Sequence, residues 1–450
     1  MYSCYLAPCP DLVEKRNAME KLIVKNSRGL SGTVLIPGDK SISHRSLMLG
    51  SLSSGKTIIG NFLQSKDCLS TIDSFSKMGI RIVNKGSKVT VFGRGLHGLR
   101  APKTILNANN SGTTTRLMLG ILAGQPFTSR ITGDKSLCRR PMQRVTGPLR
   151  EMGAVIFGKG GGNYTPLTVT GGNLEGISFK SKVASAQVKS ALLLAGLYAQ
   201  GQTCVSEPVK SRDHTERMLK YFGVKLKIKG NTVCIRSGQK LKGRRIEVPG
   251  DTSSAAFFIV AGLIVPDSKL VLKNVGINPT RTGILEALLR MGAKIRIVNK
   301  RNIKFEPVAD LIVQTSSLKG AVIGGKIIPR LIDEIPVLAV AAARAKGKTV
   351  FKDAGELRVK ESDRIKTICT ELAKFGVRTK ESKNGFVVYG NSKPRGAKSI
   401  SYGDHRIAMA MAVLALVSKG TSEIKDTACI DTSFPEFFGL FRKIQGRQTG

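Results

Sequence analysis

One pattern recurs six times along the chain and limits its fold more than any other feature. A polar start rich in Gly, Ser, Asn or Asp opens an apolar helix: GDKSISHRSLMLGSLSSG, NNSGTTTRLMLGILAG, SAQVKSALLLAGLYAQG, GDTSSAAFFIVAGLIV, IDEIPVLAVAAARAKG and GDHRIAMAMAVLALVSKG. The starts fall about 70 to 80 residues apart. After each comes a β-rich stretch such as KTIIGNFL or KTVFKDA, then a second, amphipathic helix. Five of these second helices end alike on glycine: STIDSFSKMG, MQRVTGPLREMG, TERMLKYFG, ILEALLRMG and IKTICTELAKFG. Apolar residues at helical spacing followed by a closing Gly are a helix with its cap. Alternating runs such as KVTVFG, FVVYG and IEVPG read as strands.

The architecture is therefore a repeated, pseudosymmetric α/β fold. Units of this length are too large for a thin solenoid, and three per globule give two domains of ordinary size. All six first helices open on small polar residues, several beside Lys, Arg or Asp. If those N-termini converge, each favours an anion by roughly 0.3 to 1 kcal/mol, and together they form an anion trap.

Composition bears on what such a trap could hold. Lys and Arg number 72 against 31 Asp and Glu, a net charge of +41. That invites a nucleic-acid reading. The basic residues are spread along the whole chain, however, aromatics are only 5% and Trp is absent, and no zinc-finger spacing, RNP-like string or basic helix is present. Small anionic substrates and a generally basic surface explain the excess better, and no specific nucleic acid is expected. The longest apolar runs, AAFFIVAGLIV and IAMAMAVLALV, fall short of the roughly 18 residues a bilayer span needs, so no membrane association is expected.

The opening MYSCYLAPCPDLVEKRNAMEK holds Asp11 and Glu14 and fits neither a secretory signal nor a transit peptide, which makes the cytoplasm the expected location. Patterned sequence begins only after Met19, so residues 1–18 are set apart as a leader, disordered or untranslated. Eight cysteines at 4, 9, 68, 138, 204, 234, 369 and 429 show no CxxC and no His-rich partner segment; reduced thiols and no metal site are expected. Gly50 to Thr57 spells GSLSSGKT, a Walker A string. A phosphate loop follows a strand and opens a helix, whereas this one follows a helix and enters a strand, so it is read as a cap and strand entry.

Eight strings stand in order along the chain: PGDKSISHR (37 to 45), NNSGTTTR (109 to 116), KSLCRRP (135 to 141), SAQVKSA (185 to 191), SRDH (211 to 214), IDEIP (332 to 336), RVKESDR (358 to 364) and GDHR (403 to 406). Any one is an ordinary loop; the series resembles the 3-phosphoshikimate 1-carboxyvinyltransferases, the EPSP synthase family, from about residue 20 to about 440. The resemblance implies two domains of three βαβαββ repeats each, an inverse α/β barrel, with the active site in the interdomain cleft. The N-terminal domain would span 39–247 and the C-terminal domain 19–38 plus 248–450, hinged near Pro37 and Pro249.

The same resemblance implies transfer of the enolpyruvyl group of phosphoenolpyruvate to the 5-hydroxyl of shikimate 3-phosphate, releasing phosphate, in the pathway to aromatic amino acids. Neither metal nor organic cofactor is implied. Lys40 matches the lysine that touches both substrates. Ser41 and Arg45 match shikimate 3-phosphate ligands, Arg45 gripping the carboxylate as a guanidinium fork can. Ser185, Ala186, Gln187 and Arg212 match the rest of that group; Ala186 stands where some members have a second serine. Gly112, Arg140, Arg364 and Arg406 match the phosphoenolpyruvate side. Asp333 matches the acceptor of the 5-hydroxyl proton and Glu361, beside Lys360, a second acid/base; carboxylates in different settings can divide such roles.

Asp404 and His405 are expected beside the site without a chemical role, and His44 and His214 as supporting or surface residues. Thr432 replaces a lysine of many members. Gly112 leaves room for glyphosate, expected to compete with phosphoenolpyruvate. A monomer is expected. Two other readings are weighed. The sister UDP-N-acetylglucosamine enolpyruvyl transferase opens with Lys-Asn rather than Lys40-Ser41 and uses a loop cysteine, for which Cys138 lies too close to Arg140. A noncatalytic basic nucleic-acid binder is the other.

Overall fold

A computed structural model describes residues 20–446. The leader assigned to 1–18 lies outside the described residues, as do Cys4 and Cys9. Twelve helices of eight residues or more carry the repeat, two per unit. They are α1 (Lys40–Leu52) and α2 (Lys66–Lys77), α3 (Gly112–Ala123) and α4 (Gln143–Glu151), α5 (Ala186–Ala195) and α6 (His214–Tyr221). In the second half follow α7 (Thr252–Ile264) and α8 (Gly283–Arg290), α9 (Ile335–Arg344) and α10 (Arg364–Lys374), α11 (His405–Ala415) and α12 (Phe437–Ile444).

Odd and even helices differ as their sequences require. The odd ones are buried on nearly every side, and every residue of α7 and α11 is buried. Five of the six are capped by a side chain, Asp39, Ser111, Ser185, Asp251 and Asp404, each accepting from a backbone N–H of the first turn. The even helices bury one face. Their closing glycines, Gly79, Gly153, Gly223, Gly292 and Gly376, have φ between +81° and +101°, a region that L side chains rarely adopt. The sixth closes the same way at Gly446, φ +73°, after FFGLFRKIQG, a sixth copy of the pattern beyond the five quoted above.

Each unit builds a small sheet: five have four strands and one has three. In the sixth unit the strand after the odd helix, Thr421–Lys425, pairs antiparallel with Lys21–Lys25. In the other five it pairs antiparallel with a hairpin that follows the even helix, and a short parallel strand closes its other side, as in Ser54–Gly60 against Lys88–Arg94 and Arg245–Glu247. That last strand comes from the end of the first three units. The fourth unit likewise takes its parallel edge strand, Ser31–Leu35, from the chain's beginning. Each set of three units thus closes on itself.

Apolar side chains form two separate cores. One runs from Ile42 to Val248; the other joins Leu22 to Ile36 with Ala255 to Ile444. The chain passes between them twice, and the two crossings are paired: Asp39 N donates to Pro249 O at 2.8 Å and Asp251 N to Pro37 O at 2.9 Å.

Two points correct or refine the sequence reading. Cys204 and Cys234 are not reduced thiols but a disulfide, because they face each other across the antiparallel strands Gln202–Ser206 and Thr232–Arg236 with Cα atoms 4.1 Å apart. Cys68, Cys138, Cys369 and Cys429 are free. His214 and His44 are not at the surface: both are buried, His214 against Glu306 at 2.7 Å and His44 against Thr71 at 2.7 Å. Gly55 to Thr57 lie within strand Ser54–Gly60 after α1, as read. Among the described residues no helix is long and apolar enough to cross a membrane.

Candidate active site

The starts of all six odd helices line one cavity of about 580 Å³. Lys40 and Ser41 come from α1, Gly112 from α3, Ala186 and Gln187 from α5 with Ser185 capping it. From the other core come Ser253 of α7, Asp333 just before α9, and His405 and Arg406 of α11. Arg140, Arg212, Lys360, Glu361 and Arg364 line it too, which brings together every predicted site residue except Arg45. Nine Lys and Arg side chains face six Asp and Glu, so three positive charges are left over for a ligand, besides the helix dipoles.

Within the cavity the cations pair with the acids. Lys40 Nζ lies 3.0 Å from Asp67. Arg364 is 1% exposed and bridges three carboxylates: Nε to Asp404 at 2.8 Å, Nη1 to Asp333 at 3.3 Å and Nη2 to Glu361 at 2.6 Å. Asp333 also receives Arg212 and, at 3.4 Å, Lys360, while Arg406 donates to its carbonyl at 2.9 Å. Arg140 reaches Glu361 at 3.3 Å. The Arg140–Glu361 and Arg212–Asp333 pairs each join one core to the other across the cavity.

These neighbours set the protonation states. Burial pushes the Asp333 carboxyl up, but Lys360, Arg212, Arg406 and Arg364 outweigh it and hold the group well below the usual range. Glu361 behaves alike, burial being overcome by Arg364 and Arg140. Asp67 goes the other way: burial raises it despite Lys40. His405 is pushed well below its ordinary value by burial and by Lys40 and Arg406, so the ring is neutral near pH 7.

Arg45 is the predicted residue that does not line the cavity. It stands one layer behind, 5% exposed, with Nε on Thr215 at 2.6 Å, Nη2 on Ser190 at 2.9 Å and Nη1 on the Ser41 carbonyl at 3.0 Å. None of these partners is charged, and burial lowers its pKa to about 10. Thr432 donates to Cys429 O at 2.7 Å and puts no cation at the cavity. Cys138 receives Thr165 Oγ1 at 3.2 Å and does not line the cavity either.

The sequence reading missed several wall residues. Arg116 donates to Gln187 Oε1 at 2.9 Å and to Pro141 O at 3.1 Å, and burial lowers it to about 10. It closes the quoted string NNSGTTTR, one helical turn after Gly112, a spacing that places both on one face. Arg281 ties the cap carboxylates together, 3.1 Å from Asp251 and 3.7 Å from Asp39. Asp67 carries no signal in its surroundings, SKDC.

The fold that carries this cavity is shared with solved proteins. An enolpyruvyl transferase, NikO from Streptomyces tendae, superposes with a TM-score of 0.76 over 94% of this chain and 97% of its own, at 18% identity, which shows the fold class alone. An EPSP synthase from Acinetobacter baumannii superposes with a TM-score of 0.84 at 44% identity, covering 94% of this chain and 98% of that one. The family model of EPSP synthase (3-phosphoshikimate 1-carboxyvinyltransferase) matches residues 24–441. The 3-phosphoshikimate 1-carboxyvinyltransferase of Bacillus cytotoxicus is 54% identical over 415 residues, 92% of this chain and 98% of the relative. That of Bacillus cereus is 54% identical over 425 residues, 94% and 99%. The chain belongs to the EPSP synthase family. Its activity is that of a 3-phosphoshikimate 1-carboxyvinyltransferase, a transferase of the shikimate pathway, and the sister-enzyme and nucleic-acid readings fall away.

Proposed function

We propose how this cavity performs the reaction. Shikimate 3-phosphate lies against Ser41, Ser185, Ala186, Gln187 and Arg212, its phosphate at the start of α5. Phosphoenolpyruvate lies against Gly112, Arg140, Arg364 and Arg406, and Lys40 touches both. Arg45 stands one layer behind Ser41 with no acid at ion-pair distance among the described residues, so its charge adds from behind the wall to the attraction for a substrate carboxylate seated by Ser41. Asp333 takes the proton of the 5-hydroxyl as that oxygen bonds to C2 of the enol, while Glu361, in its acid form, gives its proton to the CH₂ carbon. Glu361 serves the tetrahedral intermediate, which loses a methyl proton and phosphate to leave the enolpyruvyl ether.

Asp333 is a weak base while four cations surround it. Two polyanionic substrates draw Lys360 and the arginines to themselves, which raises its proton affinity at the moment a base is needed. Each core is read as one domain, 39–247 and 19–38 plus 248–450, forming two pseudosymmetric halves with the site between. The cavity is complete in one chain, which supports a monomer. A cytoplasmic setting is part of this reading, as is competition of glyphosate with phosphoenolpyruvate.

The convergence of six helix starts and nine cations on one cavity carries the proposal. Phosphate release measured with both substrates tests it: turnover should need both, and Asp333→Asn should abolish most of it. Full turnover by Asp333→Asn would move the base elsewhere.

A further inference from the structure

Behind the wall assigned to shikimate 3-phosphate lies a buried group of charges that the mechanism does not use. Lys189, on α5, is 1% exposed and sits between Glu207 and Glu216, with 2.8 Å to each. Glu207 does more than pair with it. Its Oε1 accepts from the backbone N–H of Ser185 at 2.9 Å, and its Oε2 accepts from Ser211 N at 3.2 Å and Ser211 Oγ at 2.8 Å. One carboxylate therefore ties together the two segments that present Ser185, Ala186 and Gln187 on one side and Arg212 on the other.

The charges alternate. Glu216 supports the buried charge of Arg45, and its neighbour Thr215 accepts from Arg45 Nε. Arg45, Glu216, Lys189 and Glu207 thus form a chain of plus, minus, plus, minus with no net charge. An uncompensated carboxylate this close to a phosphate site would repel the ligand; Lys189 removes that cost. Lys189, Glu207 and Glu216 line a second cavity of about 530 Å³ and none of them lines the substrate cavity.

We infer that Glu207, neutralised by Lys189, is a positioning residue that sets the distance between the Ser185 and Arg212 segments and so governs affinity for shikimate 3-phosphate. It touches neither substrate. The inference rests on the assignment of that wall to shikimate 3-phosphate.

Steady-state kinetics with each substrate varied in turn test it. Glu207→Gln keeps the shape but turns an amide N–H toward donors, and Glu207→Asp keeps the Lys189 ion pair but is one carbon too short to span both segments. Each should raise KM for shikimate 3-phosphate by about ten- to a hundredfold, as expected for loss of hydrogen bonds to a charged group, with KM for phosphoenolpyruvate within about twofold. Lys220→Ala, an exposed side chain that lines the second cavity outside the charge chain, should leave both KM values within about twofold. A merely structural role would lower the active fraction, and hence kcat, with both KM values unchanged. That result, or equal rises in both KM values, overturns the inference. Absence of turnover in the unaltered chain would instead overturn the site assignment.

Discussion

Gly112→Ala is the change whose consequence follows most closely from the geometry. A methyl group at this position would lie 2.6 Å from Arg116 Nη1 and 3.4 Å from Arg140 Nη1, with no backbone atom among its nearest neighbours. To regain ordinary contact Arg116 must retreat by about 0.8 Å, which disrupts its 2.9 Å bond to Gln187. The displaced atom is the end of a flexible side chain, so the fold survives and the damage stays in the cavity. A hydrogen bond to a charged group contributes about 1.5–3 kcal/mol, or roughly ten- to a hundredfold in affinity. The loss at Gln187 should raise KM for shikimate 3-phosphate by about that factor. The methyl group itself, 3.4 Å from Arg140 Nη1, crowds the phosphoenolpyruvate side, so KM for phosphoenolpyruvate should rise and half-inhibition by glyphosate should move to higher concentration, each by up to a similar factor. Phosphate release with shikimate 3-phosphate varied, and across a matrix of phosphoenolpyruvate and glyphosate concentrations, measures all three. Values within about twofold of the unaltered enzyme, with a normal melting temperature, would show that the crowding at Gly112 does not bear on the site.

Other substitutions probe the remaining links. Asp333→Asn should cut kcat by about 10²- to 10⁴-fold, the range for loss of a general base, while calorimetry still detects shikimate 3-phosphate binding; a kcat within tenfold rejects the role. Arg364→Met leaves Asp404 fully buried without its main counter-charge and should cost about 3–5 kcal/mol in urea unfolding, where a loss under about 1 kcal/mol would contradict the bridging role. Burial pushes His44 and His405 well below 6.5, so the unfolded chain takes up their protons first. Their stabilising contribution is complete above pH 6.5 and is lost as pH falls toward the folded values, by up to about 1.4 kcal/mol per pH unit for each ring. Melting temperatures from pH 7 to 5 should fall, and His44→Asn should flatten the slope; an unchanged slope would exclude His44 as a source.

The repeat was legible because its two signals are local: apolar residues at helical spacing, and a glycine that takes the left-handed turn after each even helix. The same glycine rule, applied to IQG, finds the sixth helix too. What escaped depends on partners distant in sequence. Nothing near Cys204 announces Cys234, since only the register of the strands brings them opposite each other. Two of the parallel edge strands, Leu106–Asn107 and Val322–Ile323, are only two residues long and carry no periodicity. The ligand residues named from motif strings line the cleft apart from Arg45, whereas Asp67 and Arg281 in its wall, and Glu207 behind it, are single charges whose meaning comes from what faces them.

A crystal structure with shikimate 3-phosphate and glyphosate bound tests most directly whether basic groups from both halves meet on the two substrates. The 3-phosphate should lie within hydrogen-bond distance of Ser185 and Gln187, and the inhibitor beside Gly112 with Arg140 from one half and Arg364 from the other. Ligands seated elsewhere, or in contact with residues of one half alone, would contradict the account.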